Sequence, residues 1–330
     1  MSAVVAIGVG STTIPASVIL RVLGVKLLPA GWISTTGLAS SDTVIVWLIR
    51  VPRVAVAGFV GAGLATAGVV MQGLFRNPLA EPGLAGAGAG AVLGAVIALV
   101  AGWSLHSVLI LPAMAMAGAL LALALVYGIA TRGGVTPVGT LLLAGVATGS
   151  LLSAVSSLLL SLHLVDWQIA QQVSYWMMGG LDARTWTHLW ISMPFVCLGV
   201  AAAMVQARDL DLLQQGEETA ASLGIDVETS KRLLMLTSAV LTGAAISVAG
   251  MLGFVGLIVP HLVRLMVGPS NRRLLPASAV FGAVFLILCD LAARTIHPPT
   301  EIRLGVLTAL CGGPFFLVLL MRRRRQMGAA

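Results

Sequence analysis

Apolar runs long enough to cross a bilayer follow one another from Val44 to Arg322, separated only by short polar breaks. A crossing takes roughly 20 apolar residues as a helix. In hydrocarbon the backbone groups must be satisfied within the segment, so helices are the form left open to such a chain. Only 9% of the 330 residues are charged and 58% are hydrophobic, whereas soluble domains carry about 25% charged residues. No room remains for a separate soluble domain. The chain reads as one all-α, polytopic membrane domain over residues 1–330, with about ten transmembrane helices.

One stretch carries more than hydrophobicity. In Gly61–Gly83, GAGLATAGVVMQGLFRNPLAEPG, an apolar helix runs into Arg76-Asn77-Pro78-Leu79-Ala80-Glu81-Pro82-Gly83 before apolar sequence resumes at Leu84. Two prolines within five positions end the helix and bias the preceding residues away from helical angles. Gly83 permits a tight re-entry. The pattern returns 182 positions later, where Gly243-Ala244 and Ala249-Gly250 match Gly61-Ala62 and Ala67-Gly68, and Pro260 matches Pro78. An internal repeat of helical units is a common architecture of membrane transporters, whose pathways run between the repeats.

Along the rest of the chain, Met1 to Gly10 is too short to cross and Ser11-Thr12-Thr13 interrupts it, so the first helix reads either as incomplete or as borrowing residues from beyond Thr13. Ile14 to Pro29 reads as an amphipathic interfacial helix carrying Arg21 and Lys26, and Gly31 to Asp42 as a loop. Spans are expected at about Val44–Phe75, Leu84–Ala101, Val108–Ala130, Val138 to before His163, His188–Val205, Leu233–Val248, Met251–Val267 and Leu275–Ala293, with a last one closing at Arg322. His163 to Thr187, with Asp166, Trp167, Tyr175, Trp176, Asp182 and Trp186, reads as a polar connection with interfacial aromatics. Arg208 to Arg232 is the most charged loop, and its spaced Leu210, Leu213, Ala220 and Leu223 suggest one or two short amphipathic helices on which a soluble partner docks.

The basic residues sort by side. With the C-terminus in the cytoplasm and alternating spans, twelve fall inside (Arg76, Arg132, Arg208, Lys231, Arg232, Arg264, Arg272, Arg273 and Arg322 to Arg325) and seven outside (Arg21, Lys26, Arg50, Arg53, Arg184, Arg294, Arg303). That is the positive-inside distribution, not a nucleic-acid footprint. Arg50, Arg53 and Arg294 stand on the disfavoured side, and an acidic partner is one reason for holding them there. Cys197, Cys289 and Cys311 lie inside apolar runs as small core residues. No cleavable signal peptide is evident at the start.

The chemistry of an enzyme is missing. There is no HExxH, Cys-x-x-Cys or GxSxG, and neither Lys26 nor Lys231 stands in a GxxxxGK[ST] loop. The chain therefore reads as a non-enzyme with no catalytic residues, no metal set and no cofactor of its own; ATP and Mg would belong to a partner. His261 and Arg264, at a helix end, read as structural. Asp290 is the one acid deep in a span, with Arg294 a helical turn later. An ion-coupled secondary transporter or channel acting alone is the alternative, but a single such pair supports it weakly.

Several stretches together resemble the FecCD-type permeases, the membrane subunits of type II ABC importers for ferric siderophores, haem or vitamin B12. They are Arg50-Val51-Pro52-Arg53, GAGLATAG with Gln72 and RNPLAEPG, Trp176-Met177-Met178-Gly179-Gly180, GEETAASLG (Gly216 to Gly224), GFVGLIVPHLVR (Gly253 to Arg264), Asp290 to Arg294, and Gly313-Pro314-Phe315-Phe316. The resemblance implies a homodimer of about ten spans per copy, in the bacterial inner membrane, moving an iron chelate inward along the dimer axis. It implies a periplasmic binding protein docking by carboxylates on Arg50, Arg53 and Arg294, and two ATP-binding subunits receiving the coupling helices at Asp209 to Leu223, with Leu213, Gly216, Glu217 and Glu218 among them. It implies an inner gate at Asn77 and Leu79 with Val138 and Gly139, although small polar side chains are commoner at that second position. Glu301-Ile302-Arg303 replaces the usual Glu-Leu-Pro, and Arg303 is expected to add outward positive charge or reach the lipid interface.

Overall fold

The computed structural model describes residues 2–10, 14–29, 32, 38–163, 167–298 and 300–327. Asp166 and the side chains of Arg322 to Arg325 lie outside the described residues. Among the described residues the secondary structure is helical, with one isolated β-bridge between Arg132 and Val135.

The helices in chain order are α1 (Ser2–Gly8), α2 (Ala16–Leu27), α3 (Ser40–Val44), α4 (Val51–Leu74), α5 (Ala87–Val100), α6 (Ile110–Ala130), α7 (Val138–Leu162), α8 (Trp167–Met177), α9 (Trp186–Val205), α10 (Ala207–Gln215), α11 (Glu217–Ser222), α12 (Val227–Ala249), α13 (Val255–Val267), α14 (Asn271–Thr295) and α15 (Leu304–Met327). A π-helical segment, Ile45–Arg50, joins α3 to α4, so that Ser40–Leu74 runs on for 35 residues. Pro52 explains the widening: it has no N–H for the carbonyl four residues back, and its ring crowds that carbonyl.

Among the described residues six helices are long and apolar enough to cross a membrane: Ser40–Leu74, α6, α7, α9, α12 and α14. Three more apolar helices, α5, α13 and Leu304–Val318, are shorter. The 14 residues of α5 reach about 21 Å at 1.5 Å per residue, short of a hydrocarbon core of about 30 Å. The expected tally of about ten spans counts such short helices as full crossings. Hydropathy marks the greasy stretch but not how much of it is spent in a break.

The core sits on α4 and α12. In both, 78% of the most apolar window is buried, against 22% in α7 and 28% in α9. These two helices carry the repeated GA-x4-AG pattern, and each leads through a break into a short helix, α4 into α5 and α12 into α13. Without water to drive helices together, close backbone approach at small residues supplies the contact. Gly61 on α4 and Gly282 on α14 face each other so tightly that a Cβ on either would overlap the other's carbonyl. Gly68 meets the Gly256 carbonyl of α13 in the same way. The outer helix α7, by contrast, leaves Leu143, Leu151 and Leu158 between 57% and 71% exposed.

One connection differs from expectation and one follows it. The polar stretch from His163 to Thr187 contains a helix, α8, whose Ala170, Val173 and Trp176 are buried. The sequence there is amphipathic, and its apolar side finds the bundle while Trp167 stays 75% exposed. The loop from Arg208 to Arg232 folds as two short helices, α10 and α11, divided at Gly216, whose φ of 132° suits glycine.

Candidate functional site

The candidate residues gather at the two ends of the bundle. The helix that begins at Arg50 and Arg53 ends before Arg76, and α14 runs the other way. At the N-terminus of α14, Asn271 donates to Asp211 of α10 from its backbone N (2.9 Å) and Nδ2 (2.7 Å). Near its C-terminus, Asp290 meets Arg53 at 2.9 Å. The residues assigned to opposite sides of the membrane by charge therefore separate in space as well.

At the first end the three expected docking arginines come together. Arg53 grips two carboxylates: Nε and Nη2 donate to Asp290 Oδ1 at 3.0 and 2.9 Å, and Nη1 and Nη2 donate to Glu301 at 3.0 and 2.7 Å. Arg294 lies 3.3 Å from the other Asp290 oxygen, an ion pair without hydrogen-bond alignment at that nitrogen. Its Nη2 donates to the Ala6 carbonyl, and Arg50 Nη1 donates to the Ile7 and Gly8 carbonyls at 2.7 and 2.9 Å. These are the last carbonyls of α1, which lack intrahelical donors and carry the negative end of the helix dipole. Arg50 and Arg294 are 5% and 8% exposed. Burial of two arginines against a helix end, which the α1 sequence itself does not announce, was not legible in the residue pattern. Glu301 was also missed as a partner, since it is 248 residues from Arg53.

Beside this cluster Arg303 does not reach outward. Its Nη1 donates to both Asp182 oxygens at 3.1 Å and its guanidinium lies 4.1 Å from the Tyr175 ring centroid. The positive charge expected to alter docking or reach lipid is thus paired within the chain. Burial alone would raise the Asp182 pKa, but Arg303 outweighs it and holds the carboxyl below its usual range.

At the opposite end, the break after α4 is set by its own side chain: Asn77 Oδ1 accepts from the Leu79 backbone N at 3.0 Å, an Asx turn. Asn77 and Leu79 are half-buried, Val138 opens α7 half-buried, and Gly139 is exposed with nothing near where a Cβ would stand. Of the coupling residues, Glu218 and Leu223 are exposed, Leu223 to 53%. Leu213 is only 3% exposed and packs in the core. Asp209 Oδ2 accepts from Ser230 Oγ of α12 at 3.0 Å. Lys231, wholly buried, donates to Glu217 Oε2 (2.7 Å), Glu228 Oε1 (2.8 Å) and the Thr136 carbonyl (2.8 Å). Sequence reading passed over Lys231, because a lysine near a helix start usually lies at the surface.

Between the ends, a cavity of about 540 Å³ opens beside the first break, α7 and α12, lined by Glu81, Gly145, Ser150, Ser153, Ser157 and Thr242 among others. Glu81 Oε1 accepts from the Phe254 backbone N at 2.8 Å. Gln72 Nε2 reaches the Gly256 and Leu257 carbonyls, both at 3.3 Å. The two breaks of the repeat are therefore bonded to each other through Glu81 and Phe254 beside the cavity, whose lining is mostly apolar with a few serine and threonine hydroxyls.

Residues 1–322 match the FecCD transport family. The chain is 47% identical over 290 residues to the cobalamin import system permease protein BtuC of Halobacterium salinarum, covering 87% of this chain and 76% of that one. It is 43% identical over 285 residues to the hemin transport system permease protein HmuU of Yersinia pestis, covering 85% and 84%. A solved inward-facing structure assigned to the metal-chelate type of ABC transporter superposes with a TM-score of 0.84 at 29% identity, over 97% of this chain and 95% of that one.

Proposed function

The chain belongs to the FecCD transport family, and from that premise we propose that it is the permease subunit of an ABC importer that carries an iron chelate into the cell. A ferric siderophore is the first candidate, with haem and cobalamin as the others. The working unit is two copies of this chain in the cytoplasmic membrane, two ATP-binding subunits on the α10–α11 side, and a binding protein on the side of Arg53. The observation that carries this reading is the family match across residues 1–322. The cluster around Arg53 and the exposed Glu218 and Leu223 supply a docking surface at each end. The cavity beside the breaks lies between them.

The test is transport in proteoliposomes of the permease with its ATPase and binding protein, across a panel of ferric siderophores, haem and cobalamin. Uptake that requires ATP and all three proteins is expected. Uptake by the permease alone would favour a secondary transporter or channel. For docking, Arg50, Arg53 and Arg294 changed to Glu should weaken binding-protein association, most at low salt. Because Arg50 and Arg294 hold α1 and Arg53 pairs with the buried Asp290, weakened association is assigned to docking only in a variant whose thermal stability matches the parent.

A further inference from the structure

Lys231 is the buried group that the proposed function leaves unused. It stands near the start of α12 with no exposed surface. A buried ammonium is tolerated only when its donors are satisfied, and its three donors go to three different places. Glu217 is the first residue of α11, Glu228 is in the first turn of α12, and Thr136 lies in the turn just before α7. The second Glu217 oxygen is 4.0 Å from Arg76 Nη2, on the break that follows α4. One carboxylate–lysine node thus touches α11, the break holding Asn77 and Leu79, and the turn that leads into Val138 and Gly139.

The neighbouring helix is tied differently. In α10, Asp209 bonds to Ser230 in the first turn of α12, beside Lys231, and Asp211 to Asn271 at the start of α14. Only through Glu217 do the described ion pairs pass from these short helices to Arg76 and, by Lys231, to Thr136. The node is held at Lys231, whose wholly buried ammonium would be stranded on separation, while Glu217, Glu228 and Arg76 keep contact with water.

We propose that Lys231 is a positioning residue that makes α11, the break at Arg76–Leu79 and the first turn of α7 move as one body, so that displacement of α11 by an ATPase subunit is delivered to the inner end of the pathway. This rests on the reading that α10 and α11 meet the ATPase. A flexible link at Thr136 would absorb the same displacement before it reached Val138.

The test uses the full complex in nanodiscs with spin labels at Thr219 on α11 and Thr140 on α7, both exposed, and double electron resonance distances with and without ATP. With Lys231 present, the Thr219–Thr140 distance should stay constant between nucleotide states. With Lys231→Met it should change by about 2 Å or more, the scale of a helix shift, and Lys231→Arg should restore constancy. Cargo moved per ATP hydrolysed should fall at least tenfold in Lys231→Met. An unchanged distance in a folded Lys231→Met complex would overturn the proposal. Should that variant fail to assemble, Glu217→Ala, at a side chain 35% exposed, serves: a Thr219–Thr140 distance that changes with nucleotide supports the node, and a constant one removes it. Association with the ATPase unaffected by Glu218→Arg and Leu223→Asp would instead remove the docking reading while leaving the distance result to judge the node.

Discussion

Arg53 and Asp290, 237 residues apart in sequence, share three hydrogen bonds of 3.0, 3.2 and 2.9 Å, with Asp290 only 1% exposed. Asp290 is also the acid beside Arg294, so one buried carboxylate is shared by two guanidinium groups, of which Arg53 also meets Glu301. Asp290→Ala should therefore destabilise the protein by about 3–5 kcal/mol, read as thermal unfolding in detergent. Glu301→Gln, at a side chain 40% exposed, should cost under about 1 kcal/mol. Equal losses in the two variants would place the anchor elsewhere.

Arg50 holds the end of α1 through the Ile7 and Gly8 carbonyls. Arg50→Met keeps the bulk of the side chain but removes the donors. Hydrogen exchange in Ser2–Gly8 should then rise by roughly tenfold or more, since each charged hydrogen bond contributes about 1.5–3 kcal/mol. If exchange elsewhere in the bundle rises equally, Arg50 acts on the whole fold and not on α1.

The close passage of α4 and α14 at Gly61 and Gly282 makes a steric prediction. Gly61→Ala should push the helices apart and cost about 1–3 kcal/mol, because the atoms in the way are backbone. Gly63→Ala is the control: its Cβ would meet Val196 at 3.4 Å, an ordinary contact. A Gly63 variant as unstable as the Gly61 variant would mean that helix propensity or general packing, not this crossing, sets the loss.

The Asp182–Arg303 pair predicts a pH dependence. The Asp182 carboxyl is held below its usual value, about 3.9 when unfolded. Its stabilisation is therefore complete above that value and lost as pH falls through the folded pKa. Arg303→Ala should lower thermal stability at pH 7 by less than about 1 kcal/mol, the Asp182 side chain being 54% exposed. The gap to the parent should close as pH falls through the folded Asp182 pKa. A gap that persists there would belong to the Tyr175 stacking.

Several features could be read before any coordinates. Pro78 and Pro82 announce the break, the matched GA-x4-AG pairs announce two equivalent helices, and the spacing of Leu210, Leu213 and Ala220 announces α10 and α11. Each is a local property: a missing N–H, a small-residue face, an apolar period. The helix in His163–Thr187 escaped because its polar content hid an apolar face, and Leu213 read as a contact residue because amphipathicity marks a buried face without naming what covers it.

By itself the sequence determined that this chain spends its length in a membrane as helices, where the breaks fall, and which end of each helix is basic, since hydrophobicity, proline and charge act where they stand. Tertiary structure alone decided what the charges are for. Arg50 and Arg294 close on α1, Arg53 on Asp290 and Glu301, and Lys231 on Glu217, Glu228 and Thr136. The reason is electrostatic: a charge carried into a low-dielectric bundle must be met there, and most of these partners come from distant parts of the chain, brought within reach only when the helices pack.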